Sequence, residues 1–285
     1  MKILLTGREG QVGWELQRSL AALGDVVATN RHELDLRDSN AIRRTVRKTG
    51  PDIIVNAAAY TAVDNAESES DVAMQVNAIA PGILAEEAKL LGSLLVHYST
   101  DYVFDGSKQS PYKEEDTPNP LSVYGRSKLK GEQAIVASKC RHLIFRTSWV
   151  YGPRGRNFLL TILKAAREKP ELRVVDDQFG APTSSLAIAE ATARALQVPA
   201  AQGLYHMTAG GQTSWFGFAQ TILRNAAIST PVAPIRSDQY PAKAARPRNS
   251  VLDNSLLKET FGMSLPDWES QLEQVIAQVL ARQID

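Results

Sequence analysis

Lys2-Ile3-Leu4-Leu5-Thr6-Gly7-Arg8-Glu9-Gly10-Gln11-Val12-Gly13 is the stretch on which the fold class turns. A short apolar run of strand length ends in Gly-x-x-Gly-x-x-Gly. A helical pattern follows over Val12–Leu23, with Val12, Leu16, Leu20 and Leu23 on one face. Gly7, Gly10 and Gly13 allow the tight turn, let backbone N–H groups approach a diphosphate, and bring helix close to strand. The helix N-terminus then favours the anion. The spacing is not Gly-x-Gly-x-x-Gly, so the strand before and the helix after carry the reading.

The same alternation continues outward. Asp25–Thr29, Asp52–Ala57, Ser93–Ser99 and His142–Thr147 are apolar runs of strand length. Between them lie helical segments: Ser39–Lys48 behind an Asp38-Ser39 cap, Pro81–Leu91 with Gly92 past its end, and Tyr124 through Ala137. Continuous apolar strands alternating with helices predict an α/β fold, a Rossmann-like doubly wound parallel sheet covered on both faces. After Gly152 the links hold more Pro and Gly, and helical patterns recur at Phe158–Arg167, at Ser214–Asn225 and from Asp267 onward. In that last segment Leu272, Val275, Ile276, Val279 and Leu280 share a stripe. The expected division is a dinucleotide-binding unit over 1–150 and a smaller, mainly substrate-binding α/β unit over 151–285. Segments near 182–209 and 233–250 are expected to return to the first unit.

Composition narrows the classes. The 285 residues are 44% hydrophobic and 22% charged, which excludes a disordered chain. A net charge of +1 gives no global field for nucleic acid, and no apolar run reaches the length of a membrane span. The single cysteine, Cys140, forms no internal disulfide, and Met1-Lys2 runs into an apolar stretch too short for a signal-peptide core. A cytoplasmic protein is the expectation. The histidines His32, His97, His142 and His206 have no ligand spacing, so no metal is assigned to the reaction. His97, inside a strand, reads as a hydrogen-bonded core or wall residue.

Tyr124-Gly125-Arg126-Ser127-Lys128 puts a phenol and an ammonium one helical turn apart. This helix follows the strand that ends at Tyr98-Ser99-Thr100-Asp101, on the sheet edge that the glycine turn also occupies. A phenol is a poor acid–base at neutral pH, but a nearby ammonium and an oxidised nicotinamide favour its ionised form. Thr100, Tyr124 and Lys128 therefore suit carbonyl–alcohol interconversion by hydride transfer. The rest of that helix, Arg126, Lys130 and Glu132, reads as a solvated face. Where the second strand ends, Asn30-Arg31 stands in place of the acid that commonly binds an adenosine ribose, and Arg31 can pair with a 2′-phosphate. Lys243, Arg246 and Arg248, in a proline-punctuated loop, are candidate clamps for a substrate diphosphate, set evenly against a solvated basic loop.

With these marks the chain resembles the extended short-chain dehydrogenases/reductases over essentially its full length. The shared marks are the three glycines, Asn56-Ala57-Ala58, Ser99-Thr100-Asp101-Tyr102-Val103-Phe104, and Tyr124 with Lys128. More narrowly it resembles the dTDP-4-dehydrorhamnose reductase family. The narrower marks are Gln11-Val12-Gly13-Trp14-Glu15-Leu16, Arg146 through Tyr151, Asp177 through Thr183 and Arg246-Pro247-Arg248-Asn249-Ser250. The resemblance implies reduction of dTDP-4-dehydro-L-rhamnose at C4 with NADPH or NADH. Thr100 and Tyr124 would serve the keto oxygen, and Lys128 the nicotinamide ribose. Asp101 and Trp149 would contact the sugar nucleotide. Gly10, Gln11 and Val12 with Asp35, Leu36, Ala59, Tyr60, Thr61 and Tyr98 would line the cofactor. Some relatives hold Mg²⁺ at a homodimer contact through glutamates; Glu15 and Glu190 are the candidates, with unliganded surface glutamates the favoured reading. The alternatives are an epimerase or dehydratase of the same superfamily, or a non-catalytic regulatory subunit. Dehydratases commonly carry Asp-Glu after the active-site Thr. Thr100 is followed by Asp101-Tyr102, which argues for plain reduction.

Overall fold

Strand β1 (Lys2–Thr6) lies second from one edge of a six-stranded sheet. On one side it pairs with β2 (Asp25–Thr29) and on the other with β3 (Ile53–Asn56); β4 (Leu94–Thr100), β5 (Arg141–Thr147) and the strand Gly203–His206 follow outward. Every pairing in this sheet is parallel. The chain reverses its direction of travel at β1, and the crevice beyond the carboxyl ends of β1 and β3 is the switch point at which such sheets bind ligands. The computed structural model describes residues 1–198 and 200–282.

Alternation along the strands covers both faces. Ile3 and Leu5 point into one core with Leu16, Leu20 and Ile188, whereas Leu4 points into the other with Ile42, Ile54, Leu84 and Leu95. The first helix, α1 (Gln11–Ala21), is shorter at its end than the apolar pattern suggested. The second, α2 (Ser39–Thr49), is capped by the Asp38 carboxylate, which accepts from the Asn40 and Ala41 N–H groups. Helix Ser185–Ala195 packs on α1, so a segment late in the chain closes the first core. A second core gathers Tyr151, Leu163, Phe218, Ile222, Leu272 and Ile276, with Val275 and Val279 of the terminal helix Trp268–Ala281 also buried there. The segment 233–250 divides. Its start belongs to the strand Val232–Ile235, paired with Leu172–Val175, whereas Lys243, Ala244 and Arg246 lie on Asp64 and Asn249 bonds the main chain at Lys108 and Ser110.

Pro81 does not open a free helix. A π-helical turn, Gln75–Ile79, leads directly into Ala80–Leu91. The irregular turn seats Asn77, a buried amide. Its Oδ1 accepts from the Tyr60 N–H at 2.8 Å, and its Nδ2 donates to the Tyr60 carbonyl at 2.9 Å and the Ser127 hydroxyl at 3.0 Å. Asn77 thereby ties the loop after β3 to helix Val123–Ser138, which carries the Tyr/Lys pair.

Candidate active site

The glycine turn is built by close approach. Gly7 has φ +76°, and a Cβ there would sit 2.8 Å from Ala58 Cα; a Cβ on Gly13 would sit 2.0 Å from the Gly7 carbonyl. Gly13 is thus a packing residue beneath the turn, and Gly10 is the open one at the helix start. No side chain caps α1. Its first N–H groups therefore face the cleft at the positive end of the helix. That cleft, about 870 Å³, is lined by Gly7, Gly10, Gln11 and Val12 from the turn. Asn30, Arg31, Asp35 and Leu36 contribute from beyond β2, and Ala59, Tyr60 and Thr61 from beyond β3. A glycine cradle, an uncapped helix start and a cleft of this volume fit a dinucleotide.

Elsewhere in the cleft β4 delivers Tyr98 and Thr100, with Asp101 just past its end, and the helix delivers Tyr124 and Lys128. Ser122 caps that helix by accepting from the Gly125 N–H at 3.1 Å. Gly125 lets the helix close on the end of β4, since a Cβ would meet the Tyr102 carbonyl at 2.2 Å. Burial pushes the Tyr124 phenol up to about 12, with Thr100 pulling it back and Asp101 pushing it further. Lys128 is not among the groups that move it in the cofactor-free protein. The Lys128 ammonium donates to the Tyr98 carbonyl at 2.6 Å and lies 3.2 Å from His97 Nε2. A phenol that keeps its proton is suited to giving it to an oxyanion.

Asp101 is 2% exposed, and burial pushes its carboxyl up to about 7 against the pull of the Ser250 and Thr100 hydroxyls. Its Oδ1 accepts from Thr100 Oγ1 at 3.0 Å, and its Oδ2 has no hydrogen-bond partner among the described residues. Trp149 holds φ +46° with its ring stacked on Trp215, centroids 3.5 Å apart and planes within 4°. A Cβ on Gly180 would strike the Trp149 ring. Both tryptophans line the cleft. Trp215 and Asn77 escaped the sequence reading; the visible signals were a lone tryptophan after Gly210-Gly211 and an asparagine between Val76 and Ala78 in a helical stretch.

Other expectations need correction. Glu132 is not on a solvated face: it is 4% exposed, locked to Arg146 at 2.9 and 2.7 Å, and accepts from the Ser99 hydroxyl. The end of β2 does have a carboxylate, supplied by the glycine turn. Glu9 accepts from Asn30 Nδ2 at 2.7 Å and lines the cleft beside Arg31. Asp35 is held by Arg37, whose hydrogen bonds keep its carboxyl below the usual range. Lys243, Arg246 and Arg248 lie outside the lining of the main cleft; Lys243 and Arg248 are exposed, and Arg246 pairs with Asp64 at 2.7 Å. Glu15 is buried against Arg18 at 2.9 Å, and Glu190 is exposed. Among the described residues no group of three or more His, Cys, Asp or Glu is placed to hold a metal ion, and no helix is long and apolar enough to cross a membrane.

A parallel sheet with this switch point, a glycine cradle and a Thr/Tyr/Lys end define the class, an extended short-chain dehydrogenase/reductase. The profile of the RmlD substrate binding domain matches residues 1–281, and a dTDP-4-dehydrorhamnose reductase of Burkholderia thailandensis is 49% identical over 99% of this chain and 100% of that protein. The chain belongs to the RmlD family, that of the dTDP-4-dehydrorhamnose reductases. The solved dTDP-4-dehydrorhamnose reductase of Clostridium acetobutylicum has a TM-score of 0.95 at 38% identity, covering 98% of this chain and 100% of that one. The Bacillus anthracis reductase, solved in complex with NADP, has a TM-score of 0.93 at 35% identity, covering 97% and 99%. A UDP-glucose 4-epimerase of Thermus thermophilus, 20% identical with a TM-score of 0.84, shares the fold.

Proposed function

We propose that the chain reduces the C4 keto group of dTDP-4-dehydro-L-rhamnose to give dTDP-L-rhamnose, using NADPH and, less well, NADH. The observation that carries this is the convergence of Thr100, Asp101, Tyr124 and Lys128 on the cleft that begins at the uncapped helix start. When bound there, a reduced nicotinamide supplies the hydride. The chain's own residues do the rest. Thr100 orients the keto oxygen, Tyr124 gives its phenolic proton to the oxygen as charge builds, and Lys128 holds the ribose. The buried surround raises the worth of each of these contacts. Asp101 and the Trp149–Trp215 stack hold the sugar nucleotide. In this reading 1–150 is the cofactor unit and 151–285 mainly the substrate unit. Mixing the protein with NADPH and dTDP-4-dehydro-L-rhamnose should consume NADPH absorbance; a flat trace with this sugar nucleotide overturns the reading.

Cofactor choice is a contest between Arg31 and Glu9. An Arg–phosphate bond contributes about 1.5–3 kcal/mol when shielded, and much less at an exposed residue such as Arg31. Glu9 repels the same 2′-phosphate. The expected NADPH preference in kcat/KM is therefore modest, about tenfold or less, and diminishes with salt. Arg31→Ala and Asn30→Asp should each move the enzyme toward NADH, and Glu9→Gln toward NADPH. Wild-type preference for NADH at low salt would show that Arg31 does not reach the phosphate.

The basic loop is no longer three equal candidates. Arg246 is the half-buried member, and Asp64, which it pairs with, also accepts the Lys243 and Ala244 N–H groups. Arg246→Ala should weaken substrate binding about tenfold by releasing this loop, with NADPH binding spared, whereas Lys243→Ala and Arg248→Ala should change it less than about threefold. Calorimetric titration with dTDP separates these outcomes, and equal losses in all three would restore a diffuse basic clamp.

A further inference from the structure

Lys128 sits at the head of a buried polar chain that crosses three strands of the sheet. Its ammonium has three donors. One goes to the Tyr98 carbonyl at 2.6 Å and a second faces His97 Nε2 at 3.2 Å. His97 Nδ1 lies 3.1 Å from Asn56 Nδ2, and Asn56 Oδ1 accepts from the Thr6 hydroxyl at 2.6 Å. Lys128, His97, Asn56 and Thr6 are each no more than 2% exposed. With two donors fixed on the protein, the third has a set direction, and Lys128 lines the cleft.

We propose that His97 is a positioning residue for Lys128: a buried imidazole whose Nε2 lone pair accepts from the amine and aims its remaining N–H into the cleft. The proposal rests on the reading of Lys128 as the ribose anchor. Neutrality follows from burial and from the Lys128 charge, which together hold His97 well below its ordinary value. Burial likewise pushes Lys128 down to about 8, opposed by the Glu132 carboxylate one turn further along the helix. An acceptor at Nε2 therefore joins the Tyr98 carbonyl in supporting the ammonium.

The chain also has a direction. An imidazole that accepts at Nε2 carries its proton on Nδ1, so the Asn56 oxygen must face it while the Asn56 nitrogen faces Thr6. The orientation drawn in the structure, Nδ2 toward His97 and Oδ1 toward Thr6, puts the proton on Nε2 and matches an uncharged Lys128, so the charged amine requires the Asn56 amide turned over. The amine's charge and the amide's orientation are thus coupled through His97.

The surrounding charges do not substitute for this contact. The helix itself brings Tyr124 and Glu132, and β4 brings His97, Tyr98 and, past its end, Asp101. From β5 comes Arg146, already locked to Glu132. β3 and the π turn present the neutral amides Asn56 and Asn77. On the helices packed beyond, Asp64 is taken by Arg246 and Glu87 by Arg43 and Arg47, while Asp71, Glu86 and Lys89 are exposed.

Three measurements test the proposal. In the cofactor-free protein, long-range proton–nitrogen correlation of the four histidines, with His97 assigned by its loss in His97→Gln, should show an Nδ1–H imidazole at pH 6.5 that does not titrate between pH 5 and 8. His97→Phe removes the lone pair; it should raise the NADPH dissociation constant about tenfold and move the alkaline limb of kcat down by about one pH unit. His97→Gln returns an acceptor and should restore both within about threefold. Failure of the wild type to oxidise NADPH with the keto sugar would sink the proposed activity but leave the tautomer and NADPH affinities to be read. An Nε2–H imidazole at pH 6.5 overturns the His97 proposal. So does a folded His97→Phe with the wild-type pH profile and NADPH affinity, or a His97→Gln no better than His97→Phe.

Discussion

Tyr124→Phe is expected to lower kcat by about 10²–10⁴-fold, the range for loss of a general acid, with the NADPH dissociation constant unchanged. The separation follows from geometry. Lys128 is held by the Tyr98 carbonyl and His97, so removing one hydroxyl from Tyr124 disturbs neither the amine nor the glycine turn. The phenylalanine ring keeps the edge-on contact with Tyr102, whose ring centroid lies 6.0 Å away at 79°. Only the proton is lost. Because burial holds the Tyr124 phenol at about 12, its ionisation does not shape the rate below that range, and the alkaline limb of kcat should follow Lys128 at about 8 instead. Stopped-flow turnover with saturating NADPH, paired with fluorescence titration of NADPH, reads both quantities. Near-wild-type kcat would remove Tyr124 from the chemistry.

Asp101→Asn is expected to trade substrate affinity for stability, and the stability gain should depend on pH. The Asp101 carboxyl is raised from 3.8 to about 7 by burial. A folded value above the unfolded one means that its contribution is fully present below about pH 4 and is lost as pH rises through 7. The full shift corresponds to roughly 4 kcal/mol, at about 1.4 kcal/mol per unit. Asparagine is close in shape and carries no charge to desolvate. The stability of Asp101→Asn relative to wild type should therefore grow by about 2–3 kcal/mol between pH 5 and pH 8, read from urea unfolding at both values. Affinity for the sugar nucleotide should fall about tenfold, since Asp101 lines the cleft and an amide has one acceptor oxygen where the carboxylate has two. Parallel pH–stability curves for the two proteins would show that Asp101 is not buried as a charge.

What the sequence determined by itself is what short-range pattern determines. β1 and β2 span the predicted residues because their apolar runs are bounded by glycine, asparagine and aspartate within a few positions. The glycine turn was legible because Gly7 and Gly13 answer to backbone contacts made within or beside the turn. Tyr124 and Lys128 were legible because helical spacing puts them on one face, and parallel topology sends the carboxyl ends of β1, β3 and β4 to one edge.

Tertiary structure alone decided how those groups behave. Glu132 was given to solvent by the polarity of its neighbours, but Arg146 on β5 neutralises it beneath the sheet end. Glu9 meets Asn30 across the switch point, which no local window relates. Asn77 found its partners at Tyr60 and Ser127, and Arg246 found Asp64 across most of the chain. The ionisation of Tyr124, Lys128 and Asp101 belongs to the same group. Desolvation depends on what every other segment packs around a side chain, and ion pairing on which distant residue arrives within about 3–4 Å. Periodicity and spacing are properties of neighbours along the chain; burial and pairing are properties of neighbours in space.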